Sequence, residues 1–507
     1  MRSIFFAFSL VAAAFVSACG PSAETAPTEI AWREGDVEDA FAEAAESGRP
    51  VLLYWGATWC PPCNTLKAGL FQEPAFVAQT RDFVPVYLDG DTDGAQLWGE
   101  HFAITGYPTL IILRADRSEI TRLSGGGDPD QIARALAAAR QSQVSVAELV
   151  ARPEGELRRL TPAQWTLLAE YGWAVDTGRA APAEQREAIL QRLAAHAPEP
   201  LQARRFALLS LAARDSERAV SPAEQERARS VLSAVLAGDA EVRANLDVLM
   251  FDGAEISALV APDARPALQT ALIAALDGIF ADQDVGISDR LIVINTEIEI
   301  AQQNAGEGAP TSPALLAKVR ERAAWVDRVA QTPYERQSAI YAAAGLLNDV
   351  GDAAGAERLL VAELERSHTP FYYMPILADL AEARGDKQAA LNWLRRGYET
   401  SVGPASRVQW GVLYAVGVTR LAPEDKAQVE AASLAIINEL AASRSGYHQR
   451  TRGRFERLEA ALVEWSAAHD GATVLTRLHA RMSEVCAPAQ TEAEAQSACS
   501  AWLASTT

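Results

Sequence analysis

"WGATWCPPCNTLK", residues 55–67, sets Cys60 and Cys63 two residues apart, with Trp59 in front and Pro61 and Pro62 between them. Just upstream, "PVLLYWGA" (50–57) is an apolar run behind a Gly48-Arg49-Pro50 turn, suited to a buried strand. "PPCNTLKAGL" (61–70) then starts a helix, because proline is tolerated in a first turn whose amide hydrogens lack partners anyway. At such a helix start the sulfur of Cys60 faces unpaired N–H groups and the positive end of the helix dipole, which favours the thiolate. Cys63 lies one turn inside, within reach of that sulfur, so the pair can close a disulfide with little backbone movement. Cys60 is expected to be the exposed nucleophile and Cys63 the buried resolving thiol. Trp59 is expected to supply flat apolar surface for a partner chain. A lone Cys-x-x-Cys is also half of a zinc site, but zinc needs two more soft ligands. Cys486 and Cys499 are too widely spaced to form a second such motif, and the six histidines, His101 among them, are scattered.

Outward from this stretch, residues 30–143 alternate strand and helix patterns. "FVPVYLD" (83–89) is a second strand, although Pro85 argues against a fully paired centre. "GAQLWGEHFA" (94–103) reads as a helix, "TLIILRA" (109–115) as a third strand and "EITRLSG" (119–125) as a fourth. "DPDQIARALAAAR" (128–140) is a closing helix, with Asp128 as cap and Pro129 in its first turn. That order describes one α/β domain. About 45 residues after the cysteines stands "GYPTLIIL" (106–113).

"WCPPC" behind an apolar strand, followed at that distance by "GYPTLIIL", resembles the thioredoxin superfamily. Residues 53–77 are most similar to exported thioredoxin-like domains related to the carboxy-terminal domain of the thiol:disulfide interchange protein. The resemblance covers residues 30–143. It implies an α/β thioredoxin-like domain, a central mixed sheet flanked by helices, with Cys60 and Cys63 as a redox-active disulfide and no cofactor. It also implies that Pro108 follows a cis peptide bond facing the two sulfurs, where the backbone pairs with a substrate strand. One departure stands out. Thioredoxins usually carry a buried aspartate six residues before the first cysteine, and here that position is Tyr54, which cannot act as an ordinary base near pH 7.

"DGDTDGAQLWGE" (89–100) fits a calcium-loop pattern, with Asp89, Asp91, Asp93 and Glu100 as oxygen ligands around Gly94. Against it, a strand rather than a helix precedes the loop, and Gln96 stands where an apolar residue is usual. The alternative is an acidic strand-to-helix loop in which Asp93 caps the helix.

After residue 143 strand signals almost vanish. Helix starts recur at "TPAQ" (161), "APAEQ" (181), "SPAEQ" (221) and "TSPALLAK" (311), most with Ser or Thr before a proline. The expected organisation is a helical region over 144–330 and a second over 331–507. Gly351-Asp352 recurs as Gly385-Asp386 at an offset of 34, with Ala356 matching Ala390 and Leu360 matching Leu394. The lines 346–364 and 379–397 resemble tetratricopeptide repeats, and 414–433 looks like a degenerate third unit. Trp393 and Tyr398 in these lines are expected in the core.

The amino end has a targeting grammar: Arg2, an apolar stretch from Ile4 to Val16, then Ser17 and Ala18 before Cys19. Val16-Ser17-Ala18-Cys19 resembles the lipobox of bacterial lipoproteins. That implies a signal peptide over 1–18, lipidation of Cys19, and a tether over 19–29. The implied location is the periplasm-facing outer membrane of a Gram-negative cell. Four cysteines then remain, and Cys486 with Cys499 is expected to form a structural disulfide. A net charge of −20 over 507 residues leaves no basic footprint for nucleic acid.

Together these features point to a membrane-anchored thiol–disulfide oxidoreductase working on envelope protein disulfides, in the reductive or isomerising direction, with an unidentified electron-donor protein. The alternative is a helical-repeat scaffold whose thioredoxin-like domain chiefly binds partners.

Overall fold

The computed structural model describes residues 29–34, 37–92, 94–124, 129–306, 308–442, 446–487 and 493–504. The signal stretch, Cys19, Asp93 and Asp128 lie outside them. Among the described residues five strands, β1 (Arg33–Glu34), β2 (Val51–Gly56), β3 (Val84–Asp89), β4 (Thr109–Leu113) and β5 (Glu119–Ser124), form one mixed sheet in the order β1-β3-β2-β4-β5. β3 runs parallel to β1 and β2, while β4 is antiparallel to β2 and β5. Five helices accompany the sheet: α1 (Val37–Ser47), α2 (Pro61–Ala68), α3 (Pro74–Thr80), α4 (Ala95–His101) and α5 (Pro129–Ser142).

β1 was not anticipated from the sequence, and it makes β3 an inner strand despite Pro85. The register explains how. The Val84 amide donates to Pro50 O on the β2 side, so the next nitrogen along, that of Pro85, faces the other way. There β1 pairs only with Val86 and Tyr87, so no hydrogen bond is lost at the proline.

Alternation along the strands divides the core. Leu53, Trp55, Val86, Leu88, Ile111 and Leu113 face α1 and α4, where Val37, Phe41 and Phe102 complete one layer. On the other face Leu52, Tyr54, Leu110 and Ile112 meet Leu66, Phe76, Ile132 and Leu136. That second layer does not stop at α5. It continues through Trp165, Leu168, Phe206 and Leu249 to Phe371 and Trp410, so sheet and helical region share one core.

Everything after α5 is helical among the described residues. Thr161, Ser221 and Ser312 cap their helices as the sequence indicates, the first two in full capping boxes with Gln164 and Glu224. At 181–185 the structure differs: Pro182 is itself the residue before the Ala183–His196 helix, which has no side-chain cap. The two Gly-Asp turns are superimposable in their bonding. Gly351 and Gly385 have φ +84° and +83°, a region that favours glycine. Asp352 N and Asp386 N reach back to Leu347 O and Ala381 O at 2.8 and 2.9 Å, and each aspartate caps the next helix. At the degenerate third position Asp425 still caps its helix, but Pro423-Glu424 replaces the glycine turn. Cys486 and Cys499 are disulfide-bonded, joining the Ala472–Cys486 and Ala493–Ala501 helices beside the buried Trp502. No helix among the described residues is long and apolar enough to cross a membrane.

Candidate redox active site

The apolar β2 delivers the chain to a short loop, Ala57–Trp59, and Cys60 stands as the cap of α2 with extended backbone (φ −78°, ψ 116°). Its sulfur accepts the amide hydrogen of Cys63 at 3.3 Å, the interaction expected of a sulfur at a helix start. Cys60 and Cys63 are disulfide-bonded, with Cα atoms 5.2 Å apart. The Tyr107–Pro108 bond is cis.

Tyr54 lies under the disulfide. A Cβ added at Gly56 would meet Tyr54 Oη at 2.7 Å and Cys63 Sγ at 3.4 Å, so only glycine leaves room between the phenol and the resolving sulfur. The hydroxyl is buried with no hydrogen-bond partner among the described residues. Burial, then the nearby Asp89 carboxylate, holds the phenol well above its ordinary range, so it keeps its proton. Beside it, Tyr87 stacks on Tyr54, donates to Asp89 at 3.1 Å and accepts from Lys67 at 3.0 Å.

The expected exposure of Cys60 and Trp59 is not what the structure shows: Cys60 is 2% exposed and Trp59 7%. The cause is the helical region. Trp59 is boxed by Tyr107, Tyr372 and Trp410, with ring centres 5.6, 6.0 and 5.1 Å away. Its Nε1 donates to Asp91 at 2.8 Å, and Asp91 also accepts from the amide and hydroxyl of Ser406, both at 2.7 Å. Burial pushes the Asp91 carboxyl up, against the pull of the Ser406 and Trp59 hydrogen bonds. On the Pro333–Asp349 helix, Gln337 donates to Trp59 O at 2.6 Å and accepts from Asn64 at 2.9 Å. The flat apolar surface anticipated for a partner chain is occupied by this chain itself. Gln337, Tyr372, Ser406 and Trp410 were not found by sequence reasoning, because they lie far along the chain and carry no local motif.

Among its described residues the acidic loop does not gather its carboxylates at one point. Asp91 points to Trp59 and Ser406. Asp89 accepts from Tyr87 and from the Asp91 amide at 3.0 Å. Glu100 faces the opposite way, accepting from Gln449 N at 2.9 Å, Arg452 at 2.8 Å and His448 at 3.3 Å. Burial alone would raise the Glu100 carboxyl, but those partners draw it below its ordinary value. Among the described residues no group of three or more His, Cys, Asp or Glu is placed to hold a metal ion.

A large cleft of about 570 Å³ opens beside the site, bounded by Pro62, Gly106, Tyr107, Pro108 and Thr109 on one side and by the helical region on the other.

Comparison with known proteins agrees with this geometry. A family model described as thioredoxin-like matches residues 31–115. Thioredoxin from Mycolicibacterium smegmatis is 31% identical over 90 residues, 17% of this chain and 77% of that protein. "Thioredoxin H5" from Oryza sativa subsp. japonica is 29% identical over 121 residues, 22% of this chain and 85% of that protein. A thioredoxin H-type from Oryza sativa subsp. indica is 28% identical over 103 residues, 20% of this chain and 79% of that protein. All of these matches support a general thiol–disulfide oxidoreductase. With a matching family model, a mixed five-stranded sheet, a disulfide at a helix start and a cis proline after it, the chain belongs to the thioredoxin superfamily.

Proposed function

We propose that the protein is a lipid-anchored thiol–disulfide oxidoreductase of the bacterial envelope, acting on protein disulfides in the reductive or isomerising direction. The observation that carries the chemistry is the Cys60–Cys63 disulfide at the start of α2. In the reduced protein the Cys60 thiolate attacks a substrate sulfur. The substrate disulfide breaks, a Cys60–substrate disulfide forms, and the departing thiolate takes up a proton. Cys63 then attacks Cys60 Sγ, the Cys60–Cys63 bond forms, and the second substrate thiolate leaves. Two electrons pass to the substrate, and a dithiol donor protein restores the reduced pair. Pro108 borders the substrate's approach, and Trp59 fixes the loop ahead of Cys60 rather than offering open surface. Export and the Cys19 anchor rest on the pattern of residues 1–29, and the second disulfide, Cys486–Cys499, suits an oxidising compartment.

The burial of Cys60 and Trp59 favours a second reading, in which the thioredoxin-like part is a packed binding module within a helical scaffold. One experiment separates the two. Insulin-disulfide reduction by the full chain should vanish in Cys60→Ser, and Cys63→Ser should accumulate mixed disulfides with envelope proteins that Cys60→Ser does not. Equal insulin reduction by wild type and Cys60→Ser would leave only the binding module.

A further inference from the structure

The cleft beside the disulfide is made by two parts of the chain. Pro62, Tyr107, Pro108 and Thr109 form the near wall. Tyr171, Trp173, Leu209 and Val248, all from the helical region, line the far wall together with Phe251 and Asp252. About 570 Å³ is the scale that encloses a drug-sized ligand or a short stretch of chain. The far wall is anchored to the sheet, because Gly172 N donates to Arg122 O of β5 at 2.8 Å, and the Trp173 indole is held within the helical region by donating to Leu168 O.

Three features narrow the occupant. First, the Trp59 side of Cys60 is closed by Gln337, Tyr372 and Trp410, which denies a broad folded surface the approach it would need. Second, Phe251 is 59% exposed, a large aromatic side chain in a chain that buries most of its own. A small polar disulfide would leave that ring uncovered, whereas a longer segment would lie against it. Third, the other charges lining the cleft are already matched. Arg205 pairs with Asp247 at 2.9 Å, Glu170 with Arg134 at 2.8 Å, and Arg186 lies 3.7 Å from the Asp176 carboxylate. The Asp252 carboxylate has no hydrogen-bond or ion-pair partner among the described residues. Burial, then Glu255, Asp247 and Glu299, pushes its carboxyl up to about 6, as expected of an anion crowded by like charge and lacking a cation.

We propose that the cleft receives an extended, cysteine-bearing segment of a partner polypeptide, with apolar residues beside the cysteine and a lysine or arginine that reaches Asp252. This rests on the oxidoreductase reading and assigns the helical region a role in it: one wall borders the redox pair through Pro62 and Pro108, the other selects the segment. The bound segment presents one sulfur of a disulfide to Cys60. That disulfide breaks as the Cys60–substrate bond forms, and the reduced Cys60–Cys63 pair supplies both electrons.

The test uses the full chain with dithiothreitol as reductant and reads enzyme-dependent reduction of three probes. Two are quenched disulfide-linked nonapeptides, with leucine and valine beside the cysteine and either lysine or glutamate three residues away. The third is the disulfide of 2-mercaptoethanol, too small to reach Asp252. We expect kcat/KM for the lysine peptide to exceed that for the glutamate peptide about tenfold. Asp252→Lys should reverse the order, and Phe251→Ala should slow both peptides, while the small disulfide is reduced at the wild-type rate by both variants. Equal rates for the two peptides, or an unchanged order in Asp252→Lys, with the small disulfide still turned over, would overturn the cleft assignment alone. Failure to reduce even the small disulfide would overturn it together with the oxidoreductase reading.

Discussion

Gln337 holds the main-chain carbonyl of Trp59 at 2.6 Å across 278 positions of sequence, and with its other amide atom holds Asn64 inside α2. The residues on either side of Cys60 are thus gripped by one side chain of the helical region. Gln337→Ala removes the donor and leaves a buried carbonyl unpaired, at a cost of about 1–3 kcal/mol in a denaturant titration. In the reduced protein it should also speed alkylation of Cys60 by iodoacetamide several-fold. An unchanged alkylation rate would show that Gln337 does not restrict access to the sulfur.

The neighbouring Arg336 makes a second, more expensive tie. Its guanidinium bonds both oxygens of Glu363, at 3.0 and 2.6 Å, with the Glu363 side chain 3% exposed and that of Arg336 6%. Glu363→Ala strands that cation, leaving it only the half-exposed Asp327 and two carbonyls. Stability should fall by about 3 kcal/mol. The alkylation rate of Cys60 should rise as well, since Arg336 and Gln337 sit on the same helix turn.

Tyr54 is expected to take no part in the pH dependence of the reaction. Its phenol stays protonated throughout the working range, because burial and Asp89 raise it. The profile of insulin reduction between pH 6 and 9 should therefore be the same in Tyr54→Phe as in wild type. Removing a buried hydroxyl that has no partner should be neutral or stabilising by up to about 1 kcal/mol. A displaced profile would mean that the phenol exchanges its proton during turnover.

Asp252 predicts a pH-dependent stability of definite sign. Its carboxyl lies at about 6 in the folded chain, raised by burial, Glu255, Asp247 and Glu299, against about 3.9 for an unfolded aspartate. Between those values the folded state holds a proton that the unfolded state has released. Stability from this group therefore falls as pH rises from about 4 to about 6 and stays low above. Asp252→Asn should raise stability at pH 7 by about 1 kcal/mol, allowing for the group's partial solvation, and change little at pH 3.5. Melting temperatures at the two pH values check this.

Removing the second disulfide as Cys486→Ser with Cys499→Ser opens a loop closed over a separation of 13 residues. A loss of about 2–3 kcal/mol is expected, read as a lower denaturation midpoint, with the reactivity of Cys60 unaffected.

The sheet and the redox pair were legible because each is written locally, and the cis proline because the family resemblance implied it. An apolar run, two prolines and a helix start fix Cys60 at a cap, and "GYPTLIIL" carries Pro108 just ahead of β4. β1 escaped notice because two residues, Arg33 and Glu34, carry no alternation to read. The acidic loop shows what spacing leaves open. Asp91 matches a calcium ligand by spacing, yet its oxygens are committed to Trp59 and to Ser406, the latter 315 positions away and unmarked in any window of sequence. The same holds for the cover over Trp59. A tryptophan before a Cys-x-x-Cys looks like free surface until tertiary packing brings Tyr372 and Trp410 against it.

The continuous apolar layer that runs from Leu52 through Ile132 and Leu136 to Trp165 and Phe206 has a practical consequence for anyone wishing to transplant the chemistry. The front third is no cassette. Excised after α5, it would lose the Pro162–Glu170 helix that packs on α5 and the Tyr372 and Trp410 lid over Trp59, so its properties would describe a different object. Studies of this centre belong on the undivided polypeptide.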